Sequence, residues 1–227
     1  MELELKRGGR TARVETLGGE LVSYRDERGL EYIWGGDPAY WPGRNPLLFP
    51  IVGMLKEGKI RFDGREYAME RHGFARRREF TPAARGEDWV RLELRESAET
   101  LALYPYSFRL AVEQRLTDTG FSTAVTVANP GEGPLPFCLG AHTGFRCPLE
   151  AGERFEDYEL VFPERESCPT LLLRDGLLDR PAALPCLEDT DTLPLDYRWF
   201  DALDTLIFEG LRSRSVTLRS RKSGRGV

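Results

Sequence analysis

The sequence lacks the features by which membrane, secreted and nucleic-acid-binding proteins are usually recognised. Nowhere in its 227 residues does an apolar run approach the roughly 18 residues that a membrane-spanning helix requires. The N-terminal MELELKRGGR has no apolar stretch of the kind found in a secretory signal. Lys and Arg number 32 against 37 Asp and Glu, and the net charge of −5 disfavours binding to a phosphate backbone. We therefore expect a soluble, cytoplasmic protein with neither a membrane nor a nucleic-acid partner.

Cysteine is also scarce. Cys138, Cys147, Cys168 and Cys186 form no CxxC pair, which disfavours a disulfide-dense scaffold and a zinc knuckle. We expect four reduced thiols. Hydrophobic residues make up 41% and charged residues 30%, an ordinary globular balance. Because no linker or repeat divides the chain, we expect one domain over residues 1–227.

Alternation of apolar and polar residues with a period of two predicts that β-strands dominate. Residues 90–95 alternate in this way, which is typical of a half-buried strand. Residues 110–116 and 121–127 alternate on either side of a turn and predict a long hairpin. A second hairpin is predicted around Asp63-Gly64, because a two-residue Asp-Gly loop suits a turn in which both residues need positive φ.

Helical patterns are few and short. Asp37-Pro38 predicts one capped turn, and residues 97–103 predict another that ends before Pro105. Residues 215–218 predict a further strand close to the end of the sequence. Short strands separated by Gly and Pro turns, without a βαβ alternation, favour an all-β, antiparallel β-sandwich.

Only two histidines occur, and both lie in similar surroundings. His72 lies in RHGFAR and His142 in GAHTGF, so each is close to glycine and phenylalanine. Glycine lets the backbone approach a ligand, and imidazole can exchange a proton near neutral pH. The alternative at either position is a structural histidine at the corner between a strand and a loop.

Several segments resemble motifs of the aldose 1-epimerase (galactose mutarotase-like) family. They are RNPLLFPIVG at residues 44–53, HGFAR at residues 72–76, LGAHTGFRCPL at residues 139–149 and DTLIF at residues 204–208. They occur in the family's order, and the resemblance covers essentially the whole chain. The family commonly has proline after its second histidine, where Thr143 stands in this sequence.

The resemblance implies a β-supersandwich fold and interconversion of the α and β anomers of an aldose, without a metal or an organic cofactor. It implies that His142 is the general acid for the sugar ring oxygen and that His72 and Arg44 hydrogen-bond hydroxyl groups. Asp204 would accept a hydrogen bond as a fixed carboxylate, and Arg76 belongs to the same site or lies beside it. The partner would be a small sugar, and a homodimer is compatible with the sequence.

Each assignment has an alternative. Arg44 could be a surface arginine beside a turn, and Asp204 competes with Asp196 and Asp201. Aromatic residues are candidates for the lining of a sugar site, although in a sandwich they more often belong to the core; they are Trp34, Trp41, Phe74 and Phe145. The arginine run at residues 76–78 would suit a hexose 6-phosphate.

One element of the family pattern is not found. The resemblance implies a general-base glutamate in a strand beyond residues 216–218, and no residue of this sequence matches it; no motif supports Glu209 in that role. We expect a C-terminally truncated form of a longer protein, and the alternative is a naturally short paralogue. Such a paralogue would bind carbohydrate without catalysis.

Overall fold

Strands account for 46% of the chain and helices for 8%, and the sheets are antiparallel, so the prediction of an all-β, antiparallel fold is confirmed. The computed structural model describes residues 1–201 and 203–227, and the side chains of all of these except residues 180–182. The chain forms two units, Met1–Arg146 and Cys147–Val227. No helix among the described residues is both long enough and apolar enough to cross a membrane.

The first unit begins with a three-stranded antiparallel sheet in the order β1-β2-β3. Its strands are β1 (Glu2–Arg7), β2 (Arg10–Glu15) and β3 (Glu20–Arg25). Leu3 and Leu5 are buried, whereas the residues on either side of each are exposed, because successive side chains of a strand point to opposite faces. One face of this sheet therefore contributes to the core.

A short strand and a hairpin follow. The short strand is β4 (Leu47–Leu48), and the hairpin consists of β5 (Lys59–Phe62) and β6 (Arg65–Ala68). Asp63 and Gly64 connect β5 to β6 with φ values of 47° and 80°. The predicted hairpin with positive φ at both loop residues is therefore confirmed.

The second sheet of this unit has four antiparallel strands in the order β10-β9-β8-β7. The strands are β7 (Thr81–Arg85), β8 (Trp89–Arg95), β9 (Arg109–Leu116) and β10 (Phe121–Ala128). Strand β8 confirms the alternation at residues 90–95, and β9 and β10 form the predicted long hairpin. Helix α1 (Ala98–Leu101) begins as predicted at Ser97, whose side chain accepts a hydrogen bond from the Thr100 N–H.

A last short strand, β11 (Gly140–Ala141), pairs antiparallel with β4. The core contains a cluster of aromatic rings around Phe49, which directly follows β4; its members are Phe49, Phe74, Tyr104 and Phe108. Phe74 is only 5% exposed, with its ring centroid 5.9 Å from that of Phe108. Of the two alternatives for Phe74, lining of a sugar site or the core, the structure therefore shows the core.

The second unit is built on a long antiparallel pair, β12 (Tyr158–Arg174) and β13 (Leu177–Pro194). Strand β14 (Thr217–Ser220) pairs with the other edge of β12 and overlaps the strand predicted at residues 215–218. Helix α2 (Arg198–Asp201) follows β13. This unit has its own small core of buried side chains: Phe162, Cys168, Leu187 and Leu193.

Candidate active site

The segment that carries His72 lies against the chain that follows β4. His72 and Gly73 are consecutive residues with positive φ, 67° and 68°. Beyond them the N–H groups of Phe74 and Ala75 both donate to the Phe49 carbonyl, at 3.0 and 3.2 Å. A Cβ atom on Gly73 would lie 2.2 Å from that carbonyl oxygen, so only glycine permits this approach.

The backbone of Gly53 determines the hydrogen-bonding state of His72. The Gly53 N–H donates to Nδ1 of His72 at 3.0 Å, and the His72 N–H donates to the Gly53 carbonyl at 2.8 Å. Because Nδ1 accepts, a neutral ring carries its proton on Nε2. Burial lowers the pKa of His72, and the charges of Arg76, His142 and Arg71 lower it further. His72 is therefore a neutral hydrogen-bond donor at neutral pH.

His142 directly follows β11, and the pairing of β11 with β4 places it. Its N–H donates to the Pro46 carbonyl at 3.1 Å, and its side chain is exposed. The next residue, Thr143, donates its hydroxyl to Oδ1 of the buried Asn45 at 2.6 Å. Proline could not make this bond, so threonine at the family's proline position ties the His142 loop to the segment after Arg44.

The two histidines lie together although they are 70 positions apart in the sequence. Their ring centroids are 5.8 Å apart, with the ring planes inclined by 60°. The ring centroid of Trp41 lies 4.9 Å from that of His142, and the two ring planes are inclined by 38°. The fold therefore brings one fixed hydrogen-bond donor and one exposed imidazole within reach of a single small ligand.

Arg76 lies close to His72 in a 3-10 turn at Ala75–Arg77. Its Nη2 donates to the Arg71 carbonyl at 3.0 Å, and its Nε is buried without a partner among the described residues. Burial lowers the pKa of Arg76, and the charge of Arg77 lowers it further. Arg77 itself is paired with Glu70 at 2.5 Å. Of the arginine run, Arg76 is the member whose charge acts on His72.

Arg44 is held on the side of the first sheet. Its Nε donates to the Gly35 carbonyl at 3.2 Å, and its Nη1 lies 3.9 Å from a carboxylate oxygen of Glu15. The arginine charges that lower the pKa of His72 come from Arg71 and Arg76, not from Arg44. Its backbone carbonyl nevertheless accepts from the Gly144 N–H at 2.6 Å, which links it to the His142 loop.

Asp204 belongs to the second unit, whereas the other predicted site residues belong to the first. Its side chain is exposed and it lies in a bend. The aspartate strand that the resemblance implies at residues 204–208 is reduced to one bridge, between Ile207 and Leu171. The competing Asp196 is bound to Arg198, and that hydrogen bond lowers the pKa of the Asp196 carboxyl.

Sequence reasoning missed two residues of the site. Gly53 contributes a backbone N–H to His72, and Arg71 contributes its carbonyl to Arg76 and its charge to His72. Neither contribution follows from a side-chain motif, because both depend on how the backbone at residues 49–53 meets residues 71–76. The adjacency of Arg71 to His72 is the one sequence signal that could have indicated a cationic environment.

Similarity to known proteins points to one family. The model of the aldose 1-epimerase family matches residues 1–201. The chain is 43% identical to the plasmid-encoded protein LacX of Lactococcus lactis subsp. lactis, over 100% of this chain and 78% of that protein.

Solved structures show the same fold. A galactose mutarotase related enzyme from Lactobacillus acidophilus superposes with a TM-score of 0.91 and 28% identity, over 98% of this chain and 74% of that chain. A galactose mutarotase-like protein from Lactobacillus casei gives 0.85 and 30%, over 98% and 76%. The predicted galactose mutarotase-like fold is therefore confirmed.

Proposed function

The chain belongs to the aldose 1-epimerase family, and from this premise we propose that it interconverts the α and β anomers of an aldose at His72 and His142. The observation that supports this most directly is the approach of the two imidazoles to a centroid distance of 5.8 Å. One ring is held as a neutral donor by Gly53, and the other is exposed. Ring opening needs an acid for the ring oxygen and a sugar held in place, and His142 would supply the first while His72 contributes a hydrogen bond to the second.

The proposed reaction is a reversible ring opening. The O1–H bond breaks, its electron pair forms the C1=O double bond, and the C1–O5 bond breaks with its pair moving to O5. The protonated His142 gives its proton to O5, while Nε2–H of His72 donates a hydrogen bond to a neighbouring hydroxyl. Rotation about C1–C2 and reversal of the steps yield the other anomer. For residues 1–227 by themselves we assign the O1 proton to water, because none of these residues matches the glutamate that the family resemblance implies.

The test is polarimetry on freshly dissolved α-glucose or α-galactose. A positioned general acid contributes about 10²–10⁴-fold in rate, and we expect His142→Gln to lower kcat by that factor while sugar binding is retained. Lys59→Gln, an exposed residue of β5, is the matched control. An unchanged rate for His142→Gln would dismiss the proposed acid. Sugar binding without any acceleration by the unmodified chain would instead favour a carbohydrate-binding function.

A hexose 6-phosphate is a second candidate substrate, and Arg76 is the observation that favours it. This half-buried guanidinium lies close to His72 and has a buried Nε without a partner among the described residues. Arginine binds phosphate through paired N–H donors. If the substrate is phosphorylated, Arg76→Gln should raise KM for glucose 6-phosphate and leave KM for glucose unchanged. Equal KM values for the two sugars in the unmodified chain would exclude this candidate.

A further inference from the structure

We propose that Trp41 is a positioning residue that holds the imidazole of His142 in the orientation from which it protonates the sugar. The inference rests on the proposed function of His142 and concerns how the fold fixes an exposed acid. It assigns to Trp41 a role other than that of a core residue or of a platform on which the sugar stacks.

His142 has little else to orient its ring. A catalytic histidine is commonly aligned by a hydrogen bond from its second ring nitrogen to a carboxylate or a carbonyl. In the part of the chain that the structure describes, no hydrogen bond to the His142 imidazole is present. Its ring contacts are with Trp41, at a centroid distance of 4.9 Å, and with His72, at 5.8 Å. His72 is fixed by Gly53, and Trp41 is the nearer of the two rings.

The backbone of Trp41 is itself firmly held. The Trp41 N–H donates to the Asp37 carbonyl at 2.8 Å, within the turn that the Asp37 side chain caps through the Ala39 N–H. The Trp41 carbonyl accepts from the indole Nε1–H of Trp34 at 2.8 Å. These bonds fix the backbone from which the indole projects before any sugar binds.

Two glycines show that the space beside the indole is reserved for it. A Cβ atom on Gly43 would lie 2.7 Å from Cζ2 of Trp41, and one on Gly144 would lie 2.8 Å from Cζ3. Neither position can carry a side chain unless the indole moves. Gly144 follows His142 by two residues, so the ring of Trp41 contacts both the imidazole and the backbone of the same loop.

Backbone hydrogen bonds join the Trp41 loop to the His142 loop on both sides of Gly144. The Gly144 N–H donates to the Arg44 carbonyl at 2.6 Å, and the Gly144 carbonyl accepts from the Trp34 N–H at 2.8 Å. These bonds hold the Trp41 loop and the His142 loop at a fixed separation. The indole fills the gap between the two loops, so the imidazole of His142 has few orientations open to it.

The first test observes the ring contact without using activity. With only two histidines in the chain, the imidazole region of the proton NMR spectrum is simple, and His142→Gln assigns its signals. The nearby indole displaces the His142 signals by its ring current. We expect Trp41→Leu to move them towards the positions of a free histidine, and the control Trp89→Leu to leave them in place. Trp89 is a suitable control because it is half-buried in β8 and contacts Arg115. His142 signals that do not move in Trp41→Leu would overturn the proposal.

The second test is kinetic and separates positioning from folding and from sugar stacking. A displaced catalytic group loses on the order of 10–10²-fold in rate, so Trp41→Leu should lower kcat by about that factor with little change in KM. Trp41→Phe keeps an aromatic ring and should restore most of the rate. In the His142→Gln background, Trp41→Leu should cause no further loss, because no acid remains to be positioned.

The outcomes distinguish this inference from the function on which it rests. An equal loss from Trp41→Leu in both backgrounds, or an effect on KM alone, overturns the positioning role. If His142→Gln lowers kcat as expected and Trp41→Leu is fully active, the positioning role is also overturned, and the proposed function stays intact. Full activity of His142→Gln overturns the proposed function itself.

Discussion

Gly73→Ala is the substitution that most severely tests how the site is built. Gly73 lies between His72 and the aromatic cluster, at φ 68°, where its backbone touches that of residues 49 and 50. An added Cβ would lie 2.2 Å from the Phe49 carbonyl oxygen and 2.7 Å from the Pro50 nitrogen. Both obstacles are backbone atoms, which cannot rotate away as a side chain can.

The size of the effect follows from two contributions. A residue with a Cβ atom in the left-handed conformation costs about 1–2 kcal/mol relative to glycine. Forcing an extra methyl group into a packed contact costs about 1–3 kcal/mol more. The sum, about 2–5 kcal/mol, is a large fraction of the 5–15 kcal/mol by which a typical domain is stable.

Gly64→Ala is the matched control. Gly64 has φ 80°, but its Cβ would meet no heavy atom within 4 Å, so only the conformational cost of about 1–2 kcal/mol applies. Urea unfolding followed by tryptophan fluorescence should give a clearly lower midpoint for Gly73→Ala than for Gly64→Ala. Equal midpoints would refute the claim that the close approach to Phe49 holds His72 in place.

Three further predictions concern pH, thiols and the His142 loop. Folding lowers the pKa of His72. The free energy of unfolding should therefore fall as the pH drops below about 6.5, because the unfolded chain then takes up a proton that the folded chain does not. Urea midpoints measured at several pH values should show a smaller fall for His72→Gln. A thiol reagent should modify the exposed Cys138 before Cys147, because burial raises the pKa of Cys147 to about 11. All four thiols should react in denaturant. Faster reaction of Cys147 than of Cys138 in the folded chain would contradict this prediction. Thr143→Val should cost about 1–3 kcal/mol because it leaves buried Asn45 without its donor, and Thr143→Ser should cost much less in the same unfolding assay.

Local features of the fold could be predicted because they depend on neighbouring residues. The hairpin at Asp63-Gly64 follows from the need for positive φ in a tight loop, and the cap at Ser97 follows from a hydroxyl that can satisfy a free N–H. The strands β8 to β10 follow from their alternation. Each of these predictions rests on chain geometry within about ten residues.

The orientation of side chains could not be predicted in the same way. Phe74 follows two residues with positive φ, which redirect the chain so that its ring enters the aromatic cluster instead of the site. The long side chain of Arg44 could reach several acceptors, and only the folded chain selects Gly35 and Glu15. The neutral state of His72 depends on the N–H of Gly53, 19 residues away.

The measurement that tests the central claim most directly is a double-mutant cycle between the two histidines, read out as the rate of anomer interconversion. Residues that act on one sugar ring in the same step lose activity non-additively. The account predicts that His72→Gln and His142→Gln each lower the rate and that the double variant loses much less than the product of the two single losses. Single losses that multiply, or single variants as fast as the unmodified chain, would contradict a shared site.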